Sequence, residues 1–373
     1  MLNNTPNSGL YIHVPFCRSK CPYCDFYSVP SLSLLDRWLE AVKKEVLLYK
    51  GEFGPFDSIY MGGGTPTVIP GDQLESLMAH LFAHFDFEKD LEITIEANPS
   101  DLSQNMITAI QASGFNRVNL GVQSLDENAL SFLGRGHTVE MAVDAFERLR
   151  ASGFENIGID LIYGFREQPL DVWLGTLREA VSLQAEHVSC YQLTIEGKTV
   201  FSKREKKGEI VRLGEEEERT FFLKTSEILE AAGYIHYEVS NFARALHLQS
   251  RHNRKYWDHT PYLGLGPSAH SFSGQKRWWN ARSIRKYCSA LEAGKLSVEG
   301  SESLTPEQIR LETLALGLRT RDGVDMGAIS GAHNSFFMLE RLMGEGLVRL
   351  EGGRIVPTRD GFLVADALAG CFF

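Results

Sequence analysis

The stretch "GLYIHVPFCRSKCPYCDFY", Gly9 to Tyr27, decides how the chain is read. It opens with "LYIHV", a short run of aliphatic and aromatic residues ending at Pro15, as strands do. Cys17, Cys21 and Cys24 follow, spaced C-x3-C-x2-C, with no fourth thiol. Three cysteines are too few for a closed four-thiolate metal site, and an odd number cannot all pair as disulfides. Thiolates are soft ligands suited to zinc or to iron–sulfur clusters. A structural zinc knuckle wants four protein ligands, and His13 is the only other donor nearby. Three thiolates on a [4Fe–4S] cube leave one iron open to a small chelating ligand. A one-electron donor beside a bound substrate is a setting for radical chemistry.

Five further apolar segments follow at regular intervals: "SIYMGGG" (58–64), "LEITIEANP" (91–99), "RVNLGVQS" (117–124), "IGIDLIYGF" (157–165) and "HVSCYQLT" (187–194). Between them the spacing is helical. Leu35, Trp38, Leu39, Val42 and Val46 share one face, as do Met141, Ala142, Ala145, Phe146 and Leu149. Strand–helix alternation implies parallel βα units, and right-handed crossovers would curl six of them into most of a barrel. Glu96, Gln123 and Asp160 fall at or near strand C-terminal ends, and Gly62-Gly63-Gly64-Thr65 follows a strand. Parallel βα barrels collect their chemistry at that end.

The chain has 373 residues, 43% of them apolar, and a formal net charge of −10. An acidic protein gains no counterion-release advantage on nucleic acid, so a general DNA or RNA role is disfavoured. The N-terminus "MLNNTPNSGL" shows no secretion signal, and no stretch approaches the roughly 18 apolar residues of a membrane span. Six unevenly placed cysteines suit a reducing cytosol, with Cys190, Cys288 and Cys371 as core or surface thiols. The charge run 202–219 reads as a solvated helix–loop surface, and 241–300 as loop-rich with many His and aromatic residues. From Thr305 a compact tail begins. Thr305 with Gln308 makes a capping box, Pro306 suits the first helical position, and "SFFMLERLMGEG" reads as a helix closed by Gly346. "LVRLEGGRIVP" reads as a hairpin turning at Gly352-Gly353, and "TRDGFLVADALAG" as a final helix. Helix, hairpin and helix resemble a winged-helix module. Seven Arg against ten Asp and Glu between Ser301 and Phe373 argue for packing or protein contact rather than DNA. The expected fold is α/β: a partial (β/α)6 barrel over 1–200, an extension facing substrate over 201–300, and a small α+β winged-helix-like domain over 301–373.

C-x3-C-x2-C on the first loop of a partial βα barrel resembles the signature of the radical S-adenosylmethionine (radical SAM) superfamily. Within it, "YIHVPFCRSKCPYCDF" is similar to the group containing oxygen-independent coproporphyrinogen III dehydrogenase (HemN) and the haem chaperone HemW. The resemblance implies a [4Fe–4S] cluster on Cys17, Cys21 and Cys24, its open iron chelated by the methionine part of SAM. It implies that Gly63, Gly64 and Thr65 of "MGGGTPT" line that moiety and that Glu96 meets the SAM ammonium or ribose. Gln123, Arg135 and Asp160 match positions around the nucleoside and carboxylate. Tyr11, a SAM contact or core packing, and Tyr23 complete the set.

Two departures bear on activity. The dehydrogenase carries a further cysteine two residues after the third ligand, where this chain has Phe26, and a longer segment before the motif, where this chain has 16 residues. "RHNRKYW" (251–257) resembles a motif associated with haem binding in the chaperone branch, making His252, Asn253, Tyr256 and Trp257 haem-contact candidates, with His270 of "GLGPSAHSF" a second candidate ligand. The expectation is a cytoplasmic haem chaperone carrying a cluster, SAM and haem. Its partners would be acceptor haemoproteins, with respiratory ones among the candidates, and a homodimer stays open. The alternative is a radical enzyme decarboxylating coproporphyrinogen III.

Overall fold

The structure is a computed structural model and describes residues 7–329 and 335–372. Residues 1–6, most of the N-terminal stretch "MLNNTPNSGL", lie outside the described residues. The strands are β1 (Ser8–Val14), β2 (Phe56–Gly63), β3 (Phe87–Ala97), β4 (Arg117–Gln123), β5 (Ile157–Tyr163), β6 (His187–Gln192), β7 (Ile235–Glu238), β8 (Asn241–Ala243), β9 (Tyr262–Leu265), β10 (His270–Ser273), β11 (Lys276–Asn280), β12 (Val298–Ser303), β13 (Val324–Asp325), β14 (Val348–Glu351) and β15 (Arg354–Pro357). The α-helices are α1 (Leu35–Leu48), α2 (Gly71–His84), α3 (Gln104–Ala112), α4 (Glu127–Phe132), α5 (Val139–Ala151), α6 (Leu170–Ser182), α7 (Val200–Lys206), α8 (Glu215–Ala231), α9 (Arg251–Trp257), α10 (Ile284–Glu292), α11 (Pro306–Gly317), α12 (Ser335–Gly344), α13 (Arg359–Leu363) and α14 (Ala365–Gly370).

Each of the six expected strands forms, and β1 to β6 pair in parallel in sequence order. The helices between them bury one face against the sheet. On α1, Leu35, Trp38, Leu39, Val42 and Val46 are inward, as their spacing requires. On α5 the stripe is Ala142, Ala145, Phe146 and Leu149, while Met141 stays exposed in the first turn, where Thr138 caps its N–H. Because both faces of a parallel sheet are covered, its strands are apolar nearly throughout.

The sheet is larger than six strands. Its order is β12-β11-β10-β9-β1-β2-β3-β4-β5-β6-β8-β7, so an antiparallel meander extends one edge and a hairpin the other. The region 241–300 is therefore sheet and helix rather than mainly loop. The bridging strand is β9, parallel to β1 and antiparallel to β10. The sheet curls without closing. Tyr60 on β2 and Tyr191 on β6 are four strand spacings apart, about 19 Å in a flat sheet. Both nevertheless line one cavity.

The tail has its own apolar core, with Leu314, Leu318, Ile329, Leu339, Ile355 and Phe372 among its members. The capping box of Thr305 and Gln308 is present with Pro306 at the first position of α11, and β14 and β15 turn at Gly352-Gly353, both left-handed. Two features differ from expectation. A third strand, β13, pairs with β15, and the final helix breaks at Val364 into α13 and α14. The tail meets the larger sheet through Arg319–Glu238 and α13 against α8.

Candidate functional site

The cysteine loop is anchored at its base. Phe16 is fully buried, its ring edge-on to Trp38 at 5.7 Å. The Val29 N–H donates to the Pro15 carbonyl at 2.8 Å and the Cys17 N–H to the Val29 carbonyl at 3.2 Å, closing the loop across residues 15–29. His13 donates from Nε2 to the Tyr27 carbonyl at 2.8 Å, leaving Nδ1 to accept from the Tyr11 hydroxyl at 3.0 Å. Both ring nitrogens are thus engaged, and His13 is not a spare metal ligand. Burial lowers its pKa to about 4. The three thiols are free, half-buried and turned into one cavity of about 860 Å³.

Glycines let the neighbouring strand end approach. A Cβ at Gly63 (φ +102) would lie 2.4 Å from the His13 ring, and one at Gly64 2.4 Å from the Phe16 carbonyl oxygen. The close contact is thus made first by the chain's own β1 end. Behind it, Glu96 on β3 accepts from the Tyr60 hydroxyl at 2.8 Å and from the Gly63 N–H at 3.1 Å. The carboxyl opens onto the cavity yet lies deep enough that burial raises its pKa to about 7, with Asp160 adding to the rise.

A hydrogen-bonded chain joins two of the cysteines. Thr65 Oγ1 donates to Cys17 Sγ at 3.5 Å, and Asn98 Nδ2 to Thr65 Oγ1 at 3.1 Å. Arg135 donates to Asn98 Oδ1 at 2.6 Å, to the Gly121 carbonyl at 3.1 Å and to Cys21 Sγ at 3.2 Å. Asp160 stands mid-strand on β5 rather than at its end. One carboxylate oxygen takes the Asn119 amide at 2.6 Å, and burial raises the pKa. Gln123 ends β4 with a left-handed φ of +67, rare outside glycine. Gln123 Oε1, Asp160 Oδ1 and Arg135 Nε are buried without hydrogen-bond partners. Such orphaned polar atoms in a cavity wall are expensive unless a ligand completes them.

The structure gathers Tyr11, Tyr23, Gly63, Gly64, Thr65, Glu96, Gln123, Arg135, Asp160 and the three cysteines around this cavity. It also brings in Tyr60, Asn98, Asn119, Tyr191 and Arg282, which the sequence reading passed over. Tyr60 directly precedes "MGGG" and Asn98 sits within "EANP", so strand-end position was the available signal. Among the described residues no three metal-binding side chains meet at the spacing a single ion needs, whereas a cluster takes its thiolates on separate irons.

The "HNRKYW" segment behaves differently. It forms α9, and His252 is fully buried against Gly9, Tyr11 and Tyr60. Its Nδ1 lies 3.3 Å from Ser58 Oγ and its Nε2 2.9 Å from the Tyr256 hydroxyl. Burial depresses its pKa to about 3. His252 is outside the cavity lining, and Trp257 faces Tyr237 beside a separate small recess. Asn253 caps onto Ser250 through its backbone, and Tyr256 alone of the four reaches the main cavity. Of the four candidate haem contacts only Tyr256 therefore stands at the cavity, and both nitrogens of His252 already have partners. His270, by contrast, lines the cavity.

Comparison with known proteins is consistent along the chain. Residues 11–180 match the Radical SAM superfamily model and residues 304–364 the HemN C-terminal domain model. The Heme chaperone HemW of Mycobacterium tuberculosis is 34% identical over 366 residues, covering 96% of this chain and 93% of that protein. The HemW of Bacillus subtilis is 33% identical, covering 97% and 98%, and that of Escherichia coli is 36% identical, covering 71% and 70%. The solved structure of coproporphyrinogen III oxidase (HemN) from Escherichia coli superposes with a TM-score of 0.83 at 23% identity. It covers all of this chain and 91% of the other, a likeness of fold. Similarity sustained from the cysteine loop into the tail means that the chain belongs to the HemW family of the radical SAM superfamily.

Proposed function

We propose that the protein holds haem and passes it to acceptor haemoproteins. A [4Fe–4S] cluster on Cys17, Cys21 and Cys24, with SAM on its open iron, shares the same cavity. The observation that carries this is the near end-to-end similarity to relatives named as haem chaperones. The cavity chemistry fits: three free thiols face it, with buried, unpartnered donor and acceptor atoms behind them. When bound, such a cluster with SAM supplies one-electron chemistry.

The chain's own residues would do the positioning. Arg135 offers a planar fork to a carboxylate, exchanging its bond to Cys21 for a charge-assisted pair. Glu96 would meet an ammonium, whose charge would bring its pKa back down. Asp160 Oδ1 and Gln123 Oε1 are free to accept from ribose hydroxyls or the adenine amine. We further infer that the cluster and SAM bias dimerisation or haem release rather than sustain high turnover. The proposed division is a barrel over 1–200, its extension over 201–300 and a tail domain from 301. Free cysteines suit a reducing cytosol. Among the described residues no helix is long and apolar enough to cross a membrane.

A second reading rests on the same cavity. Space beside a one-electron donor would also seat a porphyrinogen, and coproporphyrinogen III decarboxylation is the enzyme form of that idea. One experiment separates the two. Anaerobically reconstituted protein is incubated with coproporphyrinogen III, SAM and a reductant, and separately titrated with haem. The proposal expects a Soret shift and no catalytic yield of protoporphyrinogen IX. Catalytic yield, or no Soret change, overturns it.

A further inference from the structure

A haem seat needs a ring nitrogen with a free lone pair, a cation for a propionate, and a flat apolar surface for the macrocycle. Two histidines line the cavity, His13 and His270. Both nitrogens of His13 are already bonded. The His270 imidazole has no hydrogen-bond partner among the described residues and stands exposed at the rim. Its position is fixed rather than loose. It begins β10, faces Trp279 across the antiparallel pair, and packs near-parallel to that indole at 5.8 Å and 27°. Although the residue is exposed, partial desolvation where the ring meets the cavity wall, and then Arg277, lower its pKa, which keeps a nitrogen unprotonated.

The other two requirements meet it at the same rim. Arg282 lines the cavity and is 47% exposed. It donates once, at 2.8 Å, to the Asp25 carbonyl, with the Asp25 carboxylate at 3.7 Å, and has further N–H groups to offer. Arg282 and His270 line the same cavity, and the Asp25 carbonyl that holds Arg282 is adjacent to Phe26 on the cysteine loop. Phe26 is 67% exposed, and its carbonyl is held by Lys20 Nζ at 2.8 Å. A single exposed phenylalanine is ordinary. Here it is fixed on the cysteine loop and turned to the same opening.

Resting on the haem-binding reading above, we propose that haem sits at the mouth of the cysteine cavity, with His270 as axial ligand, Arg282 facing a propionate and Phe26 against the ring. His252, buried and hydrogen-bonded on both sides, then serves the packing beneath the site.

The full-length reconstituted protein is titrated with ferric haem and with metal-free protoporphyrin IX. The readouts are Soret absorbance corrected for the cluster, electron paramagnetic resonance of the haem iron, and porphyrin fluorescence. His270→Ala should change the Soret and resonance signatures and weaken ferric haem about tenfold, leaving protoporphyrin IX within about twofold. His270→Met should replace a nitrogen donor by sulfur and give a third, distinct signature. Arg282→Gln should weaken both porphyrins about fivefold, and the difference should vanish with propionate-esterified haem. The side chains of His270 and Arg282 are exposed, so circular dichroism should report unchanged folding. If wild type binds haem and His270→Ala matches it in spectrum and affinity, this seat is wrong and the haem-binding reading survives. If wild type binds no haem, that reading fails and takes the seat with it.

Discussion

Helix α9 and the deep wall of the cavity hold similar groups and use them in opposite ways. Both gather His, Tyr and carboxylate side chains away from bulk water. On α9 the accounts are closed: His252 is bonded by Ser58 and Tyr256, and Glu92 accepts the first backbone N–H groups of the helix. Along the cavity wall Gln123, Asp160 and Arg135 each keep one buried atom without a partner, and Gln123 holds a left-handed backbone. A saturated polar cluster stabilises its surroundings and has nothing left for a ligand. An unsatisfied one costs stability until a ligand arrives. Between these two regions the difference lies in which polar atoms are left open rather than in residue type.

The largest effect is expected at the cysteines. Cys17→Ala should abolish the iron–sulfur signal and bound iron while leaving the melting temperature of the apoprotein nearly unchanged, because Cys17 Sγ accepts one long hydrogen bond, from Thr65 at 3.5 Å. A variant that keeps a full cluster would show that the cluster lies elsewhere than this cavity. Next in size, His252→Ala should cost about 2–4 kcal/mol in urea unfolding, through lost packing and two orphaned hydroxyls. Stability equal to wild type would show that the hydrogen bonds of His252 carry no weight in α9.

The pH dependence sharpens the contrast because the two regions slope in opposite directions. Glu96 is held near 7 against an ordinary 4.5, so the folded chain keeps a proton that the unfolded chain has released. Its contribution is whole below about pH 4.5 and fades as pH rises through about 7. His252 is held near 3 against 6.5, so its contribution is present above about pH 6.5 and lost as pH falls toward 3. Relative to wild type, Glu96→Gln should remove a fall of on the order of 1–3 kcal/mol between about pH 5 and pH 7. Buried Glu45, shifted in the same direction, keeps its own share of that fall, against the opposite slope of the buried histidines. Urea midpoints measured at both ends of the window decide it, and an unchanged slope would mean Glu96 ionises normally in the apoprotein. Smallest, Gln123→Gly should raise apoprotein stability by about 1 kcal/mol by relieving the left-handed backbone, and weaken SAM binding. A destabilised variant would show that Gln123 is structural after all.

The parallel strands were legible because a buried parallel strand is apolar along its length and ends abruptly, as "IGIDLIY" does. The cysteine loop was legible because its spacing and its missing ligand are both written locally. The meander β9 to β12 was not: strands of four to six residues with mixed polarity carry too little periodicity to separate from loop. Burial of His252 was equally hidden, since Ser58 lies 194 positions away. Asn98 escaped notice because its role is to bridge Thr65 and Arg135, a relation that exists only after β2, β3 and the loop after α4 have met.

The stapling of the cysteine loop has a consequence for the order of maturation. Besides its base at Pro15 and Val29, the loop's far limb is tied to a distant segment. The Tyr27 hydroxyl accepts from the Ile284 N–H at 2.8 Å, and Arg282 donates to the Asp25 carbonyl at 2.8 Å. Neither metal nor disulfide takes part in these ties. The conformational entropy of arranging three thiols is therefore met by folding itself. For the cluster proposed above, this would let the polypeptide finish folding before iron and sulfide arrive, and losing that cluster would leave a receptive scaffold instead of a collapsed one.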